Sequence, residues 1–597
     1  MSSSTLTLGN IVSNFFETYK ARTPAKLKFI DLFLTTTFIT GVLVFAYCCL
    51  AGTHPFSAFL AAFISTVGSF VLAASLRVQV NPSNHFRNIS FERAFADFLI
   101  LFSINVVSST RGDNIRIQKK SNQIGIIGSG IGGASCAYYL KRALGEKVDI
   151  TVFEKENIVG GRAHVVHVDD EPVEIGGSII HPLNENMNRL VHQLDLQTYH
   201  PESNSSYAIF NGKEIIFKEN EYLSIIDKFK LLYNYRLAPI KFQVQRDKIV
   251  QQFLTSYGFI EPFETIQEFF DRILLPNITK VTAKQFMVDE SGIGKEFIED
   301  ILSAAIRVNY NQEYDKIAAF AAFIALVGAE SNLYAVKGGN YLVAKGCLEK
   351  SKSKVIHSMV KSVTKIQDGE HQYKVKTSDQ KEYDFDIVII ATPLELSKVD
   401  IIGVDGIDSI PKRQFKTVHT YLIAAKSLNP TYFGLPADSV PPEHILTSHN
   451  TSIPFYVASR NPRGMLKDGK ILFKIFSHLD LDDKLFSQVF IDHKTHVQKN
   501  WKAYPVLSPE NSFPPIKLDE SGGLYYINGF EHAVSTMETE TIASKNVAKL
   551  ITKSLITISD FYLPLFKRMD NIVDDSAPDN LNRPSTTHGS SFPKDEL

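Results

Sequence analysis

Disulfides and zinc sites are what this sequence has least means to build. It holds four cysteines in 597 residues. Cys48 and Cys49 are adjacent in an apolar run, and Cys136 and Cys347 stand far apart. No CxxC or Cys/His spacing offers metal ligands, so no metal site is expected. A disulfide framework is excluded, although one Cys136–Cys347 bridge stays open as a pairing. An excess of charge is also missing. Lys plus Arg is 63 and Asp plus Glu is 64, a net charge of −1. That balance gives no ground for a nucleic-acid partner. The start of the chain has no cleavable signal peptide, because it stays polar too long before the first apolar run. Long apolar runs are confined to the first hundred residues, and the remainder reads as soluble protein. At roughly 100–200 residues per domain, three or four folding units are expected.

The apolar runs that are present suit a membrane. Leu32–Leu50 is almost uninterrupted, and Phe56–Leu76 is a second uncharged run. At 1.5 Å per residue, each spans about 30 Å as a helix, the thickness of the hydrocarbon core. A third run, Ala94–Val107, is short and contains Asp97 and Asn105. Lys20, Arg22, Lys26 and Lys28 precede the first run, which predicts a cytosolic N-terminus. Arg77, Arg87 and Arg93 lie between the second and third runs. The chain ends in Lys594-Asp595-Glu596-Leu597, a KDEL retrieval signal that is read only in the lumen of the endoplasmic reticulum. It works only if the third run also crosses. Residues 1–109 are therefore expected to be a three-helix transmembrane segment. Ala61, Ser65 and Ser69 recur at a spacing that lets helices approach closely. Accidental composition explains them equally well.

The stretches RTPAKLKFIDLFL, GTHPF, FISTVGSFVLAASLRVQVNP and ISFERAFADFL carry a family resemblance. Residues 1–100 resemble the defender against cell death family, a small subunit of oligosaccharyltransferase. The resemblance implies a non-catalytic scaffold in the complex that glycosylates Asn, with other subunits of that complex as partners. It departs after Leu99, where this chain runs on into a second domain.

That domain opens after a polar linker at 110–122. Gln123–Ile127 alternates as a strand, Gly128-Ser129-Gly130-Ile131-Gly132-Gly133 follows, a helix runs from Ala134, and Asp149–Glu154 closes a βαβ unit. Gly128 suits a tight turn, Gly130 lets backbone N–H groups approach a pyrophosphate, and Gly133 lets the helix pack on the strand. The helix N-terminus favours the phosphates, and Glu154 is placed to accept from a ribose diol. Gly160-Gly161-Arg162 resembles the second signature of flavin amine oxidases and their relatives, in which the loop covers the FAD phosphates. Arg162 would then neutralise pyrophosphate; alternatively it is a surface arginine. Gly176-Gly177 would let backbone lie against an isoalloxazine ring. Val360 is placed against adenine, and Gly529, Met537 and Glu538 match the closing strand-and-helix motif at the flavin. FAD is the expected cofactor.

GGSIIHPLNENMNRL, AAIRVNYNQEYDKIAAFAA, YAVKGGNYLVAKGCLEKSKS and LYYINGFEHAVSTMETETIASKNVA resemble prenylcysteine oxidases, over about residues 123–550. That resemblance implies oxidation of a farnesyl or geranylgeranyl cysteine by FAD and molecular oxygen, to cysteine, the prenyl aldehyde and hydrogen peroxide. The fold expected is an α/β glutathione reductase-type FAD (Rossmann-like) domain over 123–555 with an inserted substrate domain. Its FAD part is 123–206, 335–395 and 515–555, its substrate part 207–334 and 396–514, and a tail follows at 556–597. The Phe- and Leu-rich stretch Tyr207–Tyr334 serves as an apolar slot or as plain core. His181 is placed nearest the flavin, to position water or to cap a loop. Arg307 would hold the cysteine carboxylate or serve as a buried structural arginine. The expected location is the endoplasmic reticulum membrane with a lumenal catalytic domain. An amine-oxidase-like enzyme, a non-catalytic subunit with a flavin domain and an artefactual fusion of two proteins are the alternatives.

Overall fold

The computed structural model describes residues 17–21, 23–51, 56–81, 84, 94–95, 98, 121–200, 206–218, 233–329, 332–367, 371–449 and 452–555. These fall into two compact units, one within residues 1–120 and one across residues 121–555.

The first unit is built on α1 (Ala25–Ala51) and α2 (Phe56–Gln79). Leu27 and Ile30 of α1 pack with Leu76 of α2 and with Ala94. Asp31 is paired with Arg77 at 2.7 Å and accepts from the Tyr19 hydroxyl at 2.8 Å, so one ion pair joins the two helices. Phe29, Leu32, Phe38 and Leu43 are exposed along α1, an apolar surface suited to lipid. Among the described residues, Ala25–Tyr47 is the one segment that meets the length and composition of a membrane span. Most of the third expected span lies outside the described residues, as does the KDEL terminus.

The second unit is organised by a five-stranded parallel sheet. Its strands are β1 (Asn122–Ile127), β2 (Val148–Glu154), β3 (Lys354–His357), β4 (Ile387–Ile390) and β5 (Leu524–Tyr526), in the order β5-β4-β1-β2-β3. Ile124, Ile126, Val388, Ile389 and Leu524 are fully buried, the two-sided burial expected of a parallel sheet covered by helices. The helices α3 (Ile131–Leu144), α4 (Glu185–Gln193) and, from the far end of the chain, Met537–Leu555 surround it. Cys136 on α3 and Cys347 are both buried free thiols, so no bridge joins them.

The run Lys354–Lys365 around Val360 holds two strands. Lys354–His357 pairs with β2, whereas Val360–Lys365 pairs with Tyr373–Thr377 in a separate four-stranded sheet. The second large layer is a seven-stranded sheet drawn from distant parts of the chain. Tyr207–Phe210 pairs in parallel with His444–Thr447, and the long strands Phe415–Leu428 and Phe490–Pro505 form the opposite edge. The stretch after Tyr207 therefore opens with strands before its helices α5 (Ala238–Leu254), α6 (Ser303–Tyr310) and α7 (Ala319–Val327). The last helix, Met537–Leu555, is α8.

Candidate flavin site and apolar slot

The turn between β1 and α3 admits glycine for steric reasons that differ from residue to residue. Gly128 has φ of +108°, and a Cβ there would lie 2.5 Å from Thr392 Cγ2 and 2.6 Å from the Ala391 carbonyl. At Gly133 a Cβ would lie 2.0 Å from the Gly128 carbonyl, so α3 packs directly on the turn. Gly130 is different. The nearest protein atom to a Cβ there is Gly161 Cα at 4.0 Å, so the space over its backbone is open. The Gly160 N–H donates to the Ser129 carbonyl at 3.1 Å, which lays the second glycine loop beside the first. No side chain caps α3, leaving its first-turn N–H groups available to an anion. The result is a backbone cradle at a helix N-terminus, and it fits a dinucleotide pyrophosphate.

Glu154 ends β2 as expected and is buried. Its carboxylate accepts from Ser129 N–H at 3.1 Å and Glu156 N–H at 3.0 Å, which fixes it between the two loops. The Ser129 hydroxyl donates to it as well, and since a carboxylate has about four acceptor positions, one remains for a ribose hydroxyl. Arg162 is engaged by protein: its guanidinium donates to both Glu531 oxygens and to the Ala503 carbonyl. Asn528 joins Glu531 to Glu540, at 2.9 and 3.1 Å. Burial, and then the Glu531 charge, hold the Glu540 carboxyl well above the usual range. Glu540 Oε2 would be 2.8 Å from a Cβ on Gly132, so this buried acidic cluster lies under the first turn of α3. Sequence reading missed Glu531, Asn528 and Glu540, although all three lie in the run that carried Gly529 and Glu538. Val360 is buried with Ile127 and Phe153, at the carboxyl ends of β1 and β2.

The other glycine pair forms a floor. A Cβ on Gly176 would lie 1.9 Å from the Arg162 carbonyl, whereas a Cβ on Gly177 would meet only the Met537 side chain, at 3.8 Å. Gly529 sits in the turn after β5. Glu538, in the first turn of α8, accepts from Asn186 and Met187 N–H at 2.9 Å each and so caps α4. Burial pushes its carboxyl up to about 7. Glu174 is also raised to about 7 by burial; one oxygen accepts from Asn340 N–H and the other has no partner. Lys474 Nζ, lowered by burial, lies 3.5 Å from Ser178 Oγ.

Above this floor runs a cavity of about 200 Å³. Gly177, His181, Met537 and Glu538 line it together with Ile249, Phe253, Phe323 and Val327 of α5 and α7. His181 Nδ1 accepts from Leu183 N–H at 3.0 Å, which selects the Nε2–H tautomer of the neutral ring. His181 caps its loop through this bond and also lines the cavity. Arg307 does not reach this cavity. It is buried elsewhere, donating to the Ser448 carbonyl, 3.7 Å from Glu313 and stacked 4.7 Å over the Tyr456 ring. Its geometry is that of the structural arginine.

The backbone cradle defines a dinucleotide-binding protein of the Rossmann type, and residues 126–194 match the NAD(P)-binding Rossmann-like domain family. Residues 217–560 match the prenylcysteine lyase family. Prenylcysteine oxidase 1 of Mus musculus is 32% identical over 454 residues, covering 72% of this chain and 88% of that one. Farnesylcysteine lyase of Arabidopsis thaliana is 30% identical over 453 residues, with the same two coverages. The chain belongs to the prenylcysteine lyase family and is an enzyme of the prenylcysteine oxidase type. Its residues 8–108 match the DAD family, so one polypeptide joins the two.

Proposed function

We propose that the second unit is an FAD-dependent thioether oxidase acting on farnesyl- or geranylgeranyl-cysteine, in the breakdown of prenylated proteins. The observation that carries this reading is the largely apolar slot, whose lining includes Gly177 and Met537. A ring-shaped cofactor on the Gly176–Gly177 floor would face the end of a chain held between Phe253 and Phe323. Bound FAD supplies the acceptor for a hydride from C1 of the prenyl group and passes both electrons to oxygen, giving hydrogen peroxide. C1 is bonded to sulfur and adjacent to an alkene, which stabilises the cation left behind. Addition of water and collapse then release cysteine and the prenyl aldehyde. We assign the orienting of that water to His181, which lines the slot, and the exclusion of bulk solvent to the slot walls.

We further assign the first unit to the membrane of the endoplasmic reticulum, as an oligosaccharyltransferase-type subunit. The DAD match and the apolar helix α1 support this. KDEL supports a lumenal catalytic unit. Of the four Asn-X-Ser/Thr sequons, Asn277 is exposed, and Asn88, Asn204 and Asn450 lie outside the described residues. A glycan on Asn277 would report lumenal exposure.

The test mixes the detergent-solubilised full chain anaerobically with farnesylcysteine, follows the visible flavin absorbance, then admits oxygen and assays peroxide. Bleaching followed by peroxide and prenyl aldehyde is the expected result. A yellow protein that bleaches with an amine and not with farnesylcysteine would overturn the substrate assignment.

A further inference from the structure

The helix α5 has two apolar faces. Its inner face supplies Ile249 and Phe253 to the slot. Its outer face also carries aliphatic side chains that are exposed among the described residues. Leu237 is 57% exposed, Ile240 45% and Val244 61%, and Tyr233 just ahead of them is 87% exposed. Leu237, Ile240 and Val244 are three and four residues apart, so they share one side of the helix. Lys241 and Lys248 lie on that same side and are exposed. Arg236, exposed at the preceding turn, adds a third positive charge. The acidic residue of this helix, Asp247, is paired with Arg246 at 2.9 Å, Lys241 donates to the Gly292 carbonyl at 3.0 Å, and Asp300 accepts from the Tyr235 hydroxyl at 3.1 Å.

Scattered exposed aliphatics are ordinary. A contiguous apolar row edged by lysines is the pattern of a helix lying in a lipid–water interface. We infer that α5 docks the catalytic unit on an anionic phospholipid surface, so that a prenyl chain passes from the bilayer into the slot. Three observations favour lipid over other occupants. The lysines complement anionic headgroups. The chain also carries α1, long and apolar enough to cross a bilayer. Finally, Val250, Leu254 and Val327 line the slot while only partly buried, so it reaches the surface between α5 and α7. The helix that meets the lipid is therefore a wall of the entrance. The inference rests on the prenylcysteine reading for its substrate, but the surface contact does not depend on it.

The test uses the full chain with Cys48→Ala and Cys49→Ala, reconstituted in vesicles of phosphatidylcholine and phosphatidylserine. A polarity-sensitive dye is attached at Val244→Cys or, as a control, at Val440→Cys, which is 88% exposed at the native valine. Buried Cys136 and Cys347 stay unlabelled. Lipids with nitroxide-bearing acyl chains should quench the dye at 244 and leave the dye at 440 bright. Equal brightness at both positions overturns the inference, as does shielding of 244 by a second copy of the chain. Quenching is read without turnover, so its failure is distinguishable from failure of the oxidase reading. In the same vesicles, Lys241→Glu with Lys248→Glu should lower kcat/KM for farnesylcysteine at least about thirtyfold, since each of the two lysines near an anionic surface is worth about 1 kcal/mol. Turnover of a water-soluble five-carbon prenylcysteine should be unchanged; an equal loss on both substrates also overturns it.

Discussion

The guanidinium of Arg162 is clamped by the carboxylate of Glu531, tying the second glycine loop to the turn that follows the last strand of the parallel sheet. Glu531 is buried, and Arg162 is about a third exposed. Removing one partner of a fully buried pair costs about 3–5 kcal/mol; partial solvent screening reduces the expected cost of Glu531→Ala to about 2–3 kcal/mol. Thermal unfolding of Glu531→Ala, Arg162→Met and the double variant forms a cycle. The double variant should be more stable than the sum of the two single losses predicts. Strict additivity would show that the pair contributes nothing.

The cradle separates folding from cofactor binding at neighbouring glycines. Gly133→Ala places a methyl 2.0 Å from the Gly128 carbonyl, so α3 must move and the protein should lose stability. Gly130 has φ of −64°, which alanine adopts freely, and no protein atom lies within 4.0 Å of the new methyl. Gly130→Ala should therefore unfold at the same temperature as the apoprotein of the parent. It should hold flavin at least about tenfold more weakly, a loss of about 1.4 kcal/mol. Flavin released on dialysis and apoprotein melting are the two readouts. A Gly130→Ala protein with parent flavin affinity would place the pyrophosphate elsewhere.

These glycines were legible because their constraint is local: strand, turn and helix lie within a few residues, and the chemistry of the turn dictates the residue type. Glu154 was legible for the same reason. The partner of Arg162 was not, because 369 positions separate it from Glu531 and nothing in either segment names the other. Arg307 shows the same limit. Its neighbours Ser448 and Tyr456 come from the seven-stranded sheet, whose strands are gathered from both insertions. Short apolar runs such as Lys354–Val363 carry no sign of where a strand leaves one sheet and enters another.

Glu174 makes stability pH-dependent in a direction opposite to an ordinary paired carboxylate. Burial raises its folded value to about 7, above its usual 4.5. Between those values the folded protein holds the proton that the unfolded chain releases, so stability falls as pH rises from about 4.5 to 7. The full shift corresponds to about 3 kcal/mol at most, and solvent at this partly buried side chain reduces that to about 1–2 kcal/mol. Glu174→Gln keeps an acceptor for Asn340 N–H and removes the ionisation. Urea unfolding at pH 5 and pH 7.5 should show the variant stabilised at the higher pH only. Equal effects at both values would mean that the carboxyl ionises normally.

The slot itself is tested by filling it. Ala325 is buried on α7 and lines the cavity. Ala325→Leu adds volume inside a closed wall, at a cost of about 1–3 kcal/mol for overpacking. The site of the cofactor is untouched, so the visible flavin spectrum and its bleaching by dithionite should match the parent. Binding of a long prenyl chain should suffer, with kcat/KM for farnesylcysteine reduced more than about tenfold, which is 1.4 kcal/mol of transition-state stabilisation. The five-carbon analogue, which need not reach α7, should be turned over at the parent rate. If both substrates lose equally, the leucine has distorted the floor near Gly177 and Met537. If neither loses, the prenyl chain does not lie between α5 and α7, and another path to the flavin must be sought along the loop that carries His181.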